Sequence, residues 1–172
     1  MAAILPGVAG FNDEYLARIA RDNPGWRFEQ DSSGALLVSP TFTDGGSRGA
    51  RLIAQMVAWS DGGAGGRVYD SSTGFRLPDR ALVSPDCAWL SDEQLATLTP
   101  ERRVKYWSVC PAVVVEIRSE TDSWASLRTK IQKYADNGAL YAVAIDPHEH
   151  TIFALGEPPD GLALDVEAII NA

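Results

Sequence analysis

No stretch of the 172-residue sequence is apolar for long enough to span a membrane, which excludes a transmembrane helix. The first ten residues, MAAILPGVAG, lack a basic segment and carry Pro6 and Gly7, so no secretory leader is expected. Cysteine is scarce. Cys87 and Cys110 form no CxxC motif and each adjoins an apolar run, so both are read as buried free thiols in a reducing cytoplasm. Histidine is scarcer than the charged types as well: His148 and His150 flank Pro147 with no third ligand nearby, and a zinc site is not expected. The glycine-rich stretch DGGAGG at 61–66 lacks the lysine and serine or threonine that end a phosphate-binding loop, and it reads as a flexible connection.

Basic residues are missing altogether from residue 134 onward, where seven acids give the segment a charge of −7. Residues 1–133 hold all 15 Lys and Arg against 16 acids, so the net charge of −8 belongs almost wholly to the C-terminal part. Arg102, Arg103, Lys105, Arg118, Arg128, Lys130 and Lys133 outnumber the four acids between 101 and 133. A local basic surface is therefore compatible with an acidic chain.

What is present alternates between the two periodicities. Asn12 to Asp22 predicts a helix capped by Asn12, with Tyr15, Leu16 and Ile19 as its apolar stripe, stopped by Pro24-Gly25. Trp26–Asp31 and Ala35–Ser39 predict two strands around Ser32-Ser33-Gly34. In the first, Arg27, Glu29 and Asp31 face one way and Trp26, Phe28 and Gln30 the other. A helix over Ser47–Ser60 follows, then strands near Arg67–Asp70 and Gly74–Leu77. Pro85 leads into a further strand on which Asp86, Ala88 and Leu90 share a face, and Ser91 with Gln94 forms a capping box. Leu140–Ile145 predicts a buried strand, Thr151–Leu155 its hairpin partner and Asp165–Ile170 a closing helix. This order predicts an α/β fold with a mixed sheet, in a single domain over 1–172.

The centre of the chain is CPAVVVEIRSETDSWASLRTKIQKY, Cys110 to Tyr134. Val113-Val114-Val115 predicts a buried strand, yet it ends on Glu116 and Arg118, charges that burial disfavours without a partner or a use. Ser123 then caps an amphipathic helix that Asn137-Gly138 ends. At about 100° per residue, Trp124, Leu127, Ile131, Tyr134 and Ala135 form one apolar arc. Lys130 sits on the edge of that arc and can reach back over it, whereas Lys133 points to solvent.

Three segments, SPDCAW, PAVVVEIRSETD and LRTKIQKYADNGALYAVAIDP, together resemble the Uma-type restriction endonucleases of the PD-(D/E)XK superfamily, over about Trp26 to Leu155. The resemblance implies a restriction-endonuclease-like fold, a mixed central β-sheet flanked by helices. It implies hydrolysis of DNA phosphodiesters by water activated at magnesium, or manganese, and it gives Asp86, Glu116 and Lys130 as the catalytic set. Asp86, Glu116 and the Ile117 carbonyl would hold the ion, with Glu29 as a further ligand; Arg118, Arg102 and Arg103 would contact nucleic acid. The expected partners are DNA and a second copy of the chain in a dimer, with no membrane. Two positions depart from the family pattern. Arg118 stands where the simplest motif has lysine, and an always-protonated guanidinium cannot act as a base. Ser126 stands where the helix often carries an acid.

Each candidate also has a plain structural reading. Glu116 and Arg118 can form a same-face ion pair, Asp86 can open a turn after Pro85, Lys130 can snorkel, and Glu29 can be a solvated strand residue. Two further functional readings stand beside the nuclease. One is a catalytically inactive member that serves as a DNA-binding or oligomeric module. The other is a metal-free hydrolase using Asp86 and Glu116 on a sugar.

Overall fold

A computed structural model of the chain describes residues 3–5, 11–40, 45–98, 106–120 and 122–172. The elements are β1 (Ala3–Leu5), α1 (Asp13–Asp22), β2 (Trp26–Gln30), β3 (Leu36–Pro40), α2 (Gly45–Trp59), β4 (Arg67–Asp70), β5 (Phe75–Arg76), β6 (Leu82–Val83), β7 (Cys87–Leu90), α3 (Asp92–Thr97), β8 (Val113–Ile117), α4 (Trp124–Asp136), β9 (Tyr141–Asp146), β10 (Thr151–Gly156) and α5 (Val166–Ile170). Local chemistry sets most of these boundaries. Asn12 accepts from the Tyr15 amide at the start of α1, and Ser91 and Gln94 form the reciprocal capping box of α3. Ser123 caps α4, and the helix ends in a Schellman motif: Ala139 N–H reaches Tyr134 O and Gly138 N–H reaches Ala135 O, each at 3.0 Å. Gly138 at φ 101° takes the left-handed position that a Cβ disfavours. The expected loop at 61–66 begins instead as a π-helical turn, Ser60–Ala64, which continues α2.

The strands divide between two five-stranded sheets, ordered β1-β3-β2-β6-β5 and β10-β9-β8-β7-β4. The first is antiparallel throughout. The second is the mixed sheet, with β8 and β9 parallel and its other pairs antiparallel. A parallel pair needs a crossover of a dozen or so residues, and α4 supplies it.

β8 is buried on both faces, which is why its sequence runs apolar without alternation. Val113 and Val115 pack with Leu52 and Met56 of α2 and Ile169 and Ile170 of α5. Val114 packs with Ala142 and Ala144 of β9 and with Leu127, Ile131 and Tyr134 of α4. Ile131 and Tyr134 are fully buried; burial of a large apolar side chain is worth about 1.5–3 kcal/mol, so α4 is firmly seated. A smaller cluster, Leu16, Leu36 and Leu82 with Phe28 and Val38, fixes α1 on the first sheet. Cys87 and Cys110 are buried free thiols, both pushed up to about 12, chiefly by burial. Among the described residues, no helix is long and apolar enough to cross a membrane.

Candidate active site

Between β6 of the first sheet and β7 of the second lie only three residues, Ser84, Pro85 and Asp86. The site forms at this corner. Phe28 of β2 packs toward α1, so Arg27 and Glu29 take the opposite face, as the alternation predicts. The β7–β8 register sets Cys87 opposite Val115, and Asp86 and Glu116 are the next residues of each segment beyond that pair. Glu116 continues the Val114 face and so points toward α4, where Lys130 and Tyr134 lie one turn apart.

Lys130 joins the two sheets. Its Nζ lies 2.8 Å from Glu116 Oε1 and donates to Glu29 Oε1 and Oε2 at 3.0 and 3.2 Å. Tyr134 donates its hydroxyl proton to Glu116 Oε1 at 2.7 Å, and the Ser84 amide donates to Glu29 Oε1 at 2.7 Å. Asp86 is held from two sides. The Ile117 amide donates to Oδ2 at 2.8 Å, and both terminal nitrogens of Arg27 lie 3.2 Å from Oδ1. Arg118 N–H bonds Ile145 O on the β9 side, so the amide and carbonyl of Ile117 both turn toward Asp86.

Three carboxylates thus share two cations, and the imbalance shows in the titration. Burial raises the Glu116 carboxyl most, the charges of Asp86 and Glu29 raise it further, and Lys130 only partly offsets them; it is pushed up to about 7. Lys130 moves the other way from a lone buried lysine. Burial would lower it, but Glu116 and Glu29 hold it protonated well above its usual value. Burial, then the charges of Glu116 and Glu29, keep the Tyr134 phenol firmly protonated, as a donor to Glu116 must be.

Asp86, Glu116, Lys130 and Glu29 are therefore brought together. Glu29 is not a solvated strand residue, and Lys130 turns inward to two carboxylates instead of snorkelling. Lys133, expected to face solvent, is partly buried. Arg118 pairs not with Glu116 but with the buried Asp146, its Nη1 at 2.7 Å from Oδ2, while its Nε donates to Asp122 O at 3.0 Å. Arg102 and Arg103 lie outside the described residues, as does Lys105. Sequence reasoning missed Arg27 and the polar role of Tyr134. A buried tyrosine hydroxyl requires a partner, and that requirement was the available signal for the second.

Carboxylates and a backbone carbonyl are hard oxygen donors of the kind magnesium takes, and the surplus negative charge of the corner suits a divalent cation. As the side chains stand, no three Asp, Glu, His or Cys residues among those described are grouped as a ready ligand set. Lys130 bridges Glu116 and Glu29 instead, and Arg27 engages Asp86.

Comparison with known proteins agrees with this architecture. A crystal structure of a putative nuclease belonging to DUF820, from Anabaena variabilis, matches with a TM-score of 0.67 at 14% identity, over 84% of this chain and 89% of that one. That likeness shows the fold: α/β, restriction-endonuclease-like, with a mixed sheet flanked by helices. No curated protein matches the chain. The model of the Uma2 family, described as "Putative restriction endonuclease", matches residues 13–168, from the first turn of α1 into α5. The chain therefore belongs to the Uma2 family.

Proposed function

We propose that the chain is a metal-dependent nuclease that hydrolyses phosphodiester bonds of DNA with water as nucleophile. The observation that carries this reading is the meeting of Asp86, Glu116, Lys130 and Glu29, from four separate segments, at one corner between the sheets. Asp86 and Glu116 with the Ile117 carbonyl would hold magnesium or manganese, and Glu29 stands beside them as a further carboxylate. The ion would supply Lewis acidity at the phosphate and make water acidic near neutral pH. The chain's own groups do the positioning. Tyr134 and Lys130 both bond Oε1 of Glu116, which leaves Oε2 for the ion. The Ile117 amide fixes Asp86 in the same way. Lys130 Nζ orients the attacking water and offsets charge on the phosphate. Arg118, Arg102 and Arg103 are assigned to the DNA backbone, and a second copy of the chain is the proposed partner in a dimer.

The test is cleavage of supercoiled plasmid and of duplex and single-stranded oligonucleotides in magnesium or manganese. Asp86→Asn and Glu116→Gln should lose manganese binding by calorimetry and lose cleavage. Absence of cleavage by the wild type on every substrate, with retained DNA binding in gel shifts, would replace this reading with an inactive DNA-binding module.

A further inference from the structure

Arg27 stands inside this site without a role in the chemistry proposed above, and the count of charges at the corner gives it one. Glu29, Asp86 and Glu116 carry −3 when ionised, and Arg27 and Lys130 carry +2. Adding a divalent cation to both would leave an excess of positive charge in a partly desolvated corner. Adding it while one of the two leaves brings the sum to zero. Geometry decides which one leaves. Lys130 is anchored on three oxygens of two carboxylates, at 2.8, 3.0 and 3.2 Å, and is tied to α4 by the buried residues around it. Arg27 lies at 3.2 Å on a single oxygen, Asp86 Oδ1, without the two-oxygen fork that makes arginine–carboxylate pairs strong. Its side chain is 28% exposed, so it has a path to solvent.

We infer that Arg27 is a displaceable counter-cation: it neutralises Asp86 while divalent metal is absent, and on release it grips a phosphate of the DNA. This rests on the metal-dependent nuclease reading and extends it to a phosphate-binding residue. The two terminal nitrogens that Asp86 engages are the pair a phosphate fork would take, so metal binding and DNA binding become coupled through one side chain. A planar fork of donors, charged at any working pH, suits a phosphate better than lysine does. Arg27 also lies on the same face of β2 as Glu29, two residues away, so a released guanidinium remains beside the reacting phosphate.

The test measures metal and DNA separately on the full-length chain. Manganese affinity is read by calorimetry without DNA for the wild type, Arg27→Gln and Arg27→Lys. Duplex affinity is read by fluorescence anisotropy with a cleavage-resistant phosphorothioate duplex, in manganese and in EDTA, so that Lys130 stays in place. Arg27→Gln should bind manganese about twofold to fivefold more tightly, the scale of one partly exposed ion pair removed from competition. It should bind duplex at least about fivefold more weakly in manganese and equally in EDTA, where Arg27 is engaged with Asp86. Arg27→Lys keeps the charge without the fork, so its manganese affinity should stay near the wild-type value while duplex binding in manganese falls. A prop for the fold cannot tighten metal binding when removed. Weaker manganese binding by a folded Arg27→Gln, with Asp86-dependent binding intact in the wild type, overturns the inference alone. Unfolding of both variants also overturns it, by making Arg27 a structural residue. No manganese binding by the wild type overturns the nuclease reading itself, and the role of Arg27 with it.

Discussion

Glu116→Gln should stabilise the metal-free protein at pH 8 and lose that advantage at pH 5. Glu116 is 3% exposed, and its carboxyl is raised from an ordinary 4.5 to about 7, first by burial and then by Asp86 and Glu29. The sign follows from proton counts. Between pH 4.5 and 7 the folded state binds the proton more tightly than the unfolded chain, so stability falls as pH rises through that window. Below it both states are protonated and there is no penalty; above it the penalty is complete. A shift of this size corresponds to about 3 kcal/mol. Glutamine keeps the shape and still accepts the Tyr134 hydroxyl proton, but it leaves Lys130 with Glu29 as its charged partner. The raised carboxyl already includes the attraction of Lys130, so that bond is not subtracted again and the gain at pH 8 should be about 2–3 kcal/mol.

Urea denaturation in EDTA at pH 5, 6, 7 and 8 measures this directly. The wild-type midpoint should fall relative to the variant as pH rises, with most of the change between pH 5 and 7. Manganese at pH 8 should reverse the order, because it stabilises only the protein that binds it. A variant less stable than wild type by the same amount at every pH would show that Glu116 carries no buried-charge penalty. The description of the corner as short of positive charge would then be wrong.

Lys130→Ala should lower magnesium-dependent cleavage by about 10²–10³-fold, while Lys133→Ala, three residues along α4, stays within about twofold; equal losses would reduce lysine to bulk charge. Tyr134→Phe removes a buried donor to a carboxylate and should cost about 2 kcal/mol in urea titration, and it should move the Glu116 titration upward. Arg118→Met leaves Asp146 buried without its ion-pair partner and should cost about 2–3 kcal/mol at pH 7. That deficit should shrink as pH falls below 3.8, because the wild-type contribution of a lowered carboxyl is lost as it protonates. Duplex binding, measured across salt, should weaken steeply as counterions are released; salt-independent binding would exclude contact with phosphates.

The elements legible in the sequence are those whose ends carry their own chemistry. α1, α3 and α4 begin on Asn12, Ser91 and Ser123, and the sequence places all three caps where the structure has them. β8 announces itself by a β-branched run. The division into two sheets was not legible, because a period of two tells which face a residue takes and not which strand lies beside it. β6 is two residues long and β1 three, too short for any period to register. β6 nonetheless makes the link between the first sheet and Asp86. The site followed the same rule. Arg27 and Glu29 were readable as sharing a face, yet Arg27 meets Asp86 across 59 positions and Lys130 meets Glu29 across 101. Nothing local specifies such a meeting.

Two carboxylates show why the metal is proposed at the corner and not at the neighbouring ion pair of Arg118 and Asp146. Ala144 lies opposite Glu116 in the β8–β9 register, so Asp146, two residues on, shares that face of the sheet. Both acids are buried, at 3% and 1% exposure, and both meet a cation. Their titrations diverge. Burial pushes Asp146 up, but the Arg118 hydrogen bond and the amides of His148 and Glu149 bring it below the ordinary range. Burial pushes Glu116 up, and Asp86 and Glu29 push it further, beyond what Lys130 repairs. Asp146 is a balanced structural pair, one acid to one base, and closes the turn after β9. Glu116 belongs to three acids served by two bases, an arrangement that stability alone does not favour and that an incoming cation would relieve. The departure from balance, on the same face and within one sheet, is what favours Glu116 over Asp146 as the proposed metal ligand.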